Sequence, residues 1–75
     1  MKILIELPVN FGSPLIGKTL EEIENQYEIE IISVNRRGYS FTCKEDKMEA
    51  RDYPTISGGM KNCIEFAKAA EGLSC

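Results

Sequence analysis

Residues 19–43 read TLEEIENQYEIEIISVNRRGYSFTC, and the change of hydrophobic period inside this stretch decides the fold. Thr19-Leu20-Glu21-Glu22 has the form of a capping box: Thr19 can accept from a free backbone N–H of the first turn while Glu22 reaches back to that of Thr19. Leu20, Ile23 and Tyr27 then recur at helical spacing, and Glu21, Glu22 and Glu24 put negative charge where the helix macrodipole favours it. From Glu28 to Asn35 the period drops to that of a strand rich in β-branched residues, with Ile29 and Ile31 on one parity and Ile32 and Val34 on the other. The polar triplet Arg36-Arg37-Gly38 turns the chain. Tyr39, Phe41 and Cys43 alternate with Ser40 and Thr42 as the returning strand of a hairpin.

Working outward, Ile3, Ile5, Leu7 and Val9 share a parity opposite to Lys2, Glu6 and Asn10, which predicts a strand over residues 2–9. Residues 10–14 (NFGSP) break it. Lys44–Arg51 (KEDKMEAR) reads as an exposed connection whose Met48 dips to the core. Tyr53–Ser57 is a last short strand, expected at an edge or with a bulge because Pro54 has no N–H. Met60, Cys63, Ile64, Ala67 and Ala70 predict the apolar side of a second helix, stopped at Gly72. The expected fold is α+β in the order β-α-β-β-β-α, a small, mostly antiparallel sheet packed with two helices, as one domain over residues 1–75.

Composition bounds the function. The 75 residues carry a net charge of −3 with nine basic side chains spread along the chain, so no concentrated positive field awaits a phosphate backbone, and no nucleic-acid partner is expected. No apolar run approaches the roughly 20 residues of a membrane span, so direct membrane insertion is not expected. Histidine is absent, which removes the commonest general base, and the carboxylates fall at exposed positions; no catalytic residue and no enzyme activity are expected. The three cysteines, Cys43, Cys63 and Cys75, contain no CxxC pair, so metal ligands and cofactors are not expected either. An odd set of thiols suits a reducing, cytoplasmic setting. Cys43 and Cys63 are expected as small buried hydrophobes and Cys75 as exposed. The acidic cluster Glu21, Glu22 and Glu24 is expected as a solvated helix face.

Two short features admit a binding reading. Gly58-Gly59 stands between a strand and a helix, where backbone N–H groups can hold phosphate, but without GxGxxG or GxxxxGK[ST] it reads first as a turn that needs small residues. The same dipeptide would suit a ubiquitin-like sulfur carrier only after cleavage behind Gly59. Arg36 and Arg37 could form a small anion-binding point, against the simpler reading of a solvated turn.

Three segments, in this order and spacing, resemble one family: GSPLIGKTLEEI at Gly12–Ile23, EIEIISVNRRG at Glu28–Gly38 and RDYPTISG at Arg51–Gly58. They are similar to the TrkA-C (RCK-C) domain, the C-terminal regulatory lobe of potassium conductance regulators. The resemblance implies a ligand-sensing and dimerising lobe of a potassium or related cation transport system. Its partners would be a second copy, a membrane channel or transporter subunit or an upstream nucleotide-binding domain, and a small-molecule effector. A stand-alone protein-interaction domain is the alternative. In some members of the family the lobe binds cyclic di-AMP at the dimer seam, near the junction of the first helix and the second strand. This sequence departs there: the link from Leu20 to Tyr27 is short, an arginine late in the helix is missing, and Glu30 replaces a common asparagine. Arg51 and Pro54 stand where the family's fourth strand usually has glycine and leucine. No ligand-binding residue is therefore carried over, and the expectation is that the domain does not bind cyclic di-AMP at micromolar concentration. The apolar residues on both faces of Ile29–Val34 are expected to drive a homodimer.

Overall fold

The structure is a computed structural model describing residues 2–72. Its elements follow the expected order: β1 (Lys2–Glu6), α1 (Leu20–Tyr27), β2 (Glu30–Arg36), β3 (Tyr39–Phe41), β4 (Tyr53–Gly59) and α2 (Met60–Glu71). The strands form one antiparallel sheet in the order β1-β4-β2-β3. Both helices cover one face, and Leu20, Ile23, Phe66 and Ile56 lie among the fully buried side chains between the layers.

Local signals account for much of this. The capping box at α1 is complete: Glu22 N–H donates to Thr19 Oγ1 (3.2 Å) and Thr19 N–H donates to Glu22 Oε1 (2.9 Å). Accepting that bond favours the ionised carboxylate and holds the Glu22 pKa below its ordinary value. Alternation in β1 also holds, with Ile3, Ile5 and Leu7 half-buried and Val9 buried, although the regular strand ends at Glu6. Beyond it, Leu7 and Val9 still donate to Pro54 O and Asp52 O (3.4 and 2.8 Å). The parity change in β2 is a β-bulge: the register with β4 shifts between Ile31 and Ser33. The extra residue turns Ile32 outward while Ile29, Ile31 and Val34 are buried. Arg37 and Gly38 both have positive φ (54° and 79°), as a two-residue type I′ hairpin turn requires.

Other expectations are corrected by contacts distant in sequence. Pro54 does not mark an edge, because β4 lies between β1 and β2. Pro54 O accepts from Leu7 N–H, but without an N–H of its own Pro54 returns no bond to Leu7, and the regular β1–β4 ladder stops one residue earlier, at Glu6 and Thr55. On α2 the buried seam is Cys63, Phe66 and Ala70, whereas Met60 and Ile64 are exposed. Tyr27 explains the rotation: its ring meets that of Phe66 edge-on, with centroids 6.0 Å apart, and draws Phe66 into the interface. Cys43 lies past the end of β3 and is exposed, while Cys63 is buried as expected and burial pushes its thiol pKa up. Cys75 lies outside the described residues.

The 44–51 connection is more than a solvated loop. Met48 is fully buried, and the carbonyls of Asp46 and Lys44 accept from the N–H groups of Leu20 and Glu21 at the start of α1. Arg51 closes this segment at φ 71°, donating to Val9 O and laying its guanidinium 5.2 Å from the Phe11 ring centre. A left-handed arginine costs roughly 1–2 kcal/mol, and the exposed cation–π contact returns only about 0.5 kcal/mol. Arg51→Gly is therefore expected to stabilise the domain by about 0.5–1 kcal/mol and raise Tm by a few degrees in thermal denaturation. A fall in Tm would show that the arginine contacts outweigh the strain.

Candidate functional site

The junction of α1 and β2 is where a ligand would be sought. α1 ends at Glu28, which takes a left-handed conformation (φ 55°, ψ 48°) and closes the helix by donating its N–H to Glu24 O. The chain turns at once into β2, with Ile29 buried beneath the junction. The Glu24 side chain is not part of a solvated acidic face. Its Oε2 accepts from Ile31 N–H (2.8 Å) and from Lys44 Nζ (2.7 Å), and the same ammonium donates to Ile31 O (2.7 Å). Sequence order hides this cation, because Lys44 arrives from the segment after β3. Glu28 and Glu30 remain exposed, and their carboxylates form no hydrogen bond or ion pair among the described residues. The junction thus presents two uncompensated carboxylates beside one compensated pair.

The two arginines of the hairpin separate. Arg36 is the last residue of β2, and its guanidinium turns inward to grip Asp52: Nε donates to Oδ1 and Nη2 to Oδ2, both at 2.8 Å. Nη2 also donates to Lys47 O (2.9 Å), Nη1 lies 3.3 Å from Glu49 Oε2, and the Phe41 ring centre is 4.6 Å away. The hydrogen bond to Asp52 raises the arginine pKa further, so the group stays charged. Arg37 alone is exposed at the turn. The paired anion-binding point does not form.

Asp52 is the residue that sequence reasoning missed. Its side chain is 1% exposed, and Oδ2 also accepts from Glu49 N–H (2.8 Å). An isolated carboxylate is far too costly to bury, so a charged residue immediately before an apolar strand was the available signal that a cation must come to meet it.

Gly58 and Gly59 belong to β4, opposite Ile3 and Lys2, and Gly59 caps α2 without a side-chain bond. A Cβ on Gly58 would lie 3.0 Å from Ile29 Cγ2, so close packing against Ile29 favours a glycine here. Cleavage behind Gly59, as a sulfur carrier would need, would remove α2 with Phe66 from the core. The described surface has no pocket, and no cluster of histidine, cysteine and carboxylate side chains among the described residues could hold a metal ion. No helix among them is long and apolar enough to cross a membrane.

Comparison with known proteins places the architecture. The chain is similar to the RCK_C domain dimer of S. agalactiae BusR in complex with c-di-AMP, at 15% identity and a TM-score of 0.78, covering 92% of this chain and 90% of that one. It is equally similar to S. agalactiae BusR in complex with its busAB-promotor DNA, where the match covers 36% of the longer chain. The RCK C domain of the potassium transport protein KtrA in complex with cyclic diadenosine monophosphate matches at 21% identity and a TM-score of 0.74, over 89% of this chain and 81% of that one. At these identities the likeness shows the fold. A comparison with curated protein sequences found no match. The family profile of the TrkA-C domain matches residues 4–70, nearly the whole of the described fold from β1 to the last turns of α2, and the chain belongs to the TrkA-C domain family.

Proposed function

We propose that this chain is a regulatory, ligand-sensing lobe of a potassium or related cation transport system, acting as a homodimer and transmitting an effector or partner signal. The family membership over residues 4–70 carries this reading. Two of its structural neighbours, the BusR domain dimer and KtrA, are complexes with a cyclic dinucleotide, and KtrA is a potassium transport protein. The chemistry of the fold supports regulation over catalysis: the described surface has no pocket, and its buried carboxylate, Asp52, is held by Arg36. The partner would be a channel or transporter subunit or an upstream nucleotide-binding domain. DNA is not proposed as a ligand, because a net charge of −3 spread over the chain offers no positive groove. Potassium uptake in cells lacking this coding region tests the assignment: uptake that no longer responds to external potassium is expected, and uptake identical to that of the intact strain would contradict it.

The dimer reading needs a different seat from the one expected on β2. Ile29, Ile31 and Val34 are covered by the domain itself, leaving Ile32 as the one exposed isoleucine of that strand.

The effector is proposed not to be cyclic di-AMP. Two phosphates brought to the α1–β2 junction would meet Glu28 and Glu30, both exposed. Lys44 is already held by Glu24 and Ile31 O, and Arg36 is engaged with Asp52, which leaves Arg37 as the exposed cation of the hairpin turn. An ionised glutamate accepts hydrogen bonds but donates none, so Glu30 adds repulsion where an asparagine would supply a donor. Isothermal titration of the purified protein is expected to show no saturable binding at micromolar cyclic di-AMP, with Glu30→Asn gaining it. Saturation near one ligand per dimer in the unaltered protein would contradict the reading.

A further inference from the structure

The left-handed backbone of Arg51 is not offset by contacts within the domain. Of the other residues besides glycine with positive φ, Glu28 closes α1 and Arg37 forms the hairpin turn. Arg51 N–H donates to Val9 O (2.6 Å) and Asp52 N–H to Glu49 O (3.3 Å), but these are backbone bonds that a glycine at position 51 would keep without the clash of a Cβ. What the arginine adds is a guanidinium laid 5.2 Å from the centre of the Phe11 ring. Phe11 is itself 70% exposed, in the loop between β1 and α1. Strain left unreturned within a fold collects where a residue is kept for a contact outside it.

Charge sets the class of that contact. In the two segments that bring the pair together, residues 8–17 and 49–52, Arg51 is the one basic residue. Their two carboxylates are both taken by Arg36: Asp52 by the two-pronged grip, and Glu49 through Oε2 at 3.3 Å from Nη1. No ion pair among the described residues includes Arg51. Its planar fork of N–H donors matches a carboxylate, and the Phe11 ring keeps water from one side of it. A nucleic acid or an anionic bilayer would need several cations together, and a net charge of −3 would repel either one. The pair also lies away from the α1–β2 junction. Arg51 leads into the end of β4 that pairs Tyr53 with Asn35, whereas Glu30 pairs with Ser57 near the other end.

We propose that Phe11 and Arg51 form a docking point for an acidic segment of a partner protein, one carboxylate sitting in the fork of Arg51 and an apolar side chain beside it lying on Phe11. Exposed aromatic and arginine side chains are the residue types that carry most of the energy of protein interfaces.

Heteronuclear NMR titration of the full chain with a synthetic peptide that alternates glutamate with leucine and tyrosine tests the proposal. Saturable shifts are expected at residues 10–12 and 50–52, and a peptide with lysine in place of glutamate is expected to leave them unmoved. Arg51→Gly is expected to weaken binding of the acidic peptide about tenfold or more while Tm rises, so that the loss is separated from unfolding. Phe11→Ser changes an exposed position and is expected to weaken it about threefold. Arg51→Lys keeps the charge without the fork and is expected to fall between Arg51→Gly and the parent. Absence of saturable shifts at millimolar peptide, or equal affinity in the parent and Arg51→Gly, would overturn the proposal. Shifts of the same residues with phosphatidylglycerol vesicles but not with the peptide would overturn it in favour of a lipid surface. None of these outcomes bears on the response of potassium uptake, which tests the regulatory reading separately.

Discussion

The contact between Arg36 and Asp52 extends the pairing of β2 with β4 one step beyond Asn35 and Tyr53 and ties it to the segment between β3 and β4. Arg36 is the last residue of β2, Asp52 directly precedes β4, and the guanidinium also holds Lys47 O in the segment between. Asp52 in turn fixes that segment from inside by accepting from Glu49 N–H. Once the segment is fixed, Met48 enters the core and the carbonyls of Lys44 and Asp46 reach the first N–H groups of α1. A two-pronged ion pair of this kind has to be complete to be favourable, since removing one member of a buried pair leaves an unpaired charge and costs about 3–5 kcal/mol. Arg36 is 28% exposed, which places the cost toward the lower figure. Against a total stability of about 4–11 kcal/mol for a domain of 75 residues, that is a large share.

The same economy of material shapes what the domain can do. Its interior is filled, its buried carboxylate is engaged, and no pocket opens on the described surface. At the α1–β2 junction the left-handed Glu28 and the Glu24–Lys44 pair hold the backbone in place while Glu28 and Glu30 set its charge. The geometry of that junction follows from the TrkA-C fold, whereas the charge presented there belongs to this sequence. Fold and surface charge are thus set separately in this family member, the charge at the junction by a few exposed side chains.

What could be read from the sequence was local. Alternation in Lys2–Val9, the capping box at Thr19 and the turn at Arg37-Gly38 each involve residues within a few positions of one another, and each appears as expected. Even the parity change at Ile31 to Val34 was visible, though only the register with β4 identifies it as a bulge. The rest depends on partners far away in sequence. Pro54 reads as an edge residue until its place opposite Leu7 shows that its missing donor falls where the regular β1–β4 ladder stops. Phe66 was overlooked because the apolar residues of α2 fit more than one helical seam, and only Tyr27 selects between them. Cys43 continued the alternation of β3 on paper, but the strand stops at Phe41 and exposes it. In the candidate site, Glu28 and Glu30 were legible as exposed carboxylates, while Glu24 was misplaced because its cation lies 20 residues away. Asp52 was missed for the same reason, its partner being 16 residues away.

A double-mutant cycle on Arg36 and Asp52 tests the organising role of their contact most directly. Arg36→Met keeps an unbranched apolar side chain beside Phe41 while removing the charge, and Asp52→Asn keeps the shape of the acceptor; urea denaturation of the parent, both single variants and the double variant supplies the coupling. The structure predicts a coupling energy of about 2 kcal/mol or more, with the double variant less damaged than the sum of the singles. Losses that add to within about 0.5 kcal/mol would contradict it, and would mean that the fold around residues 44–52 is held by other contacts.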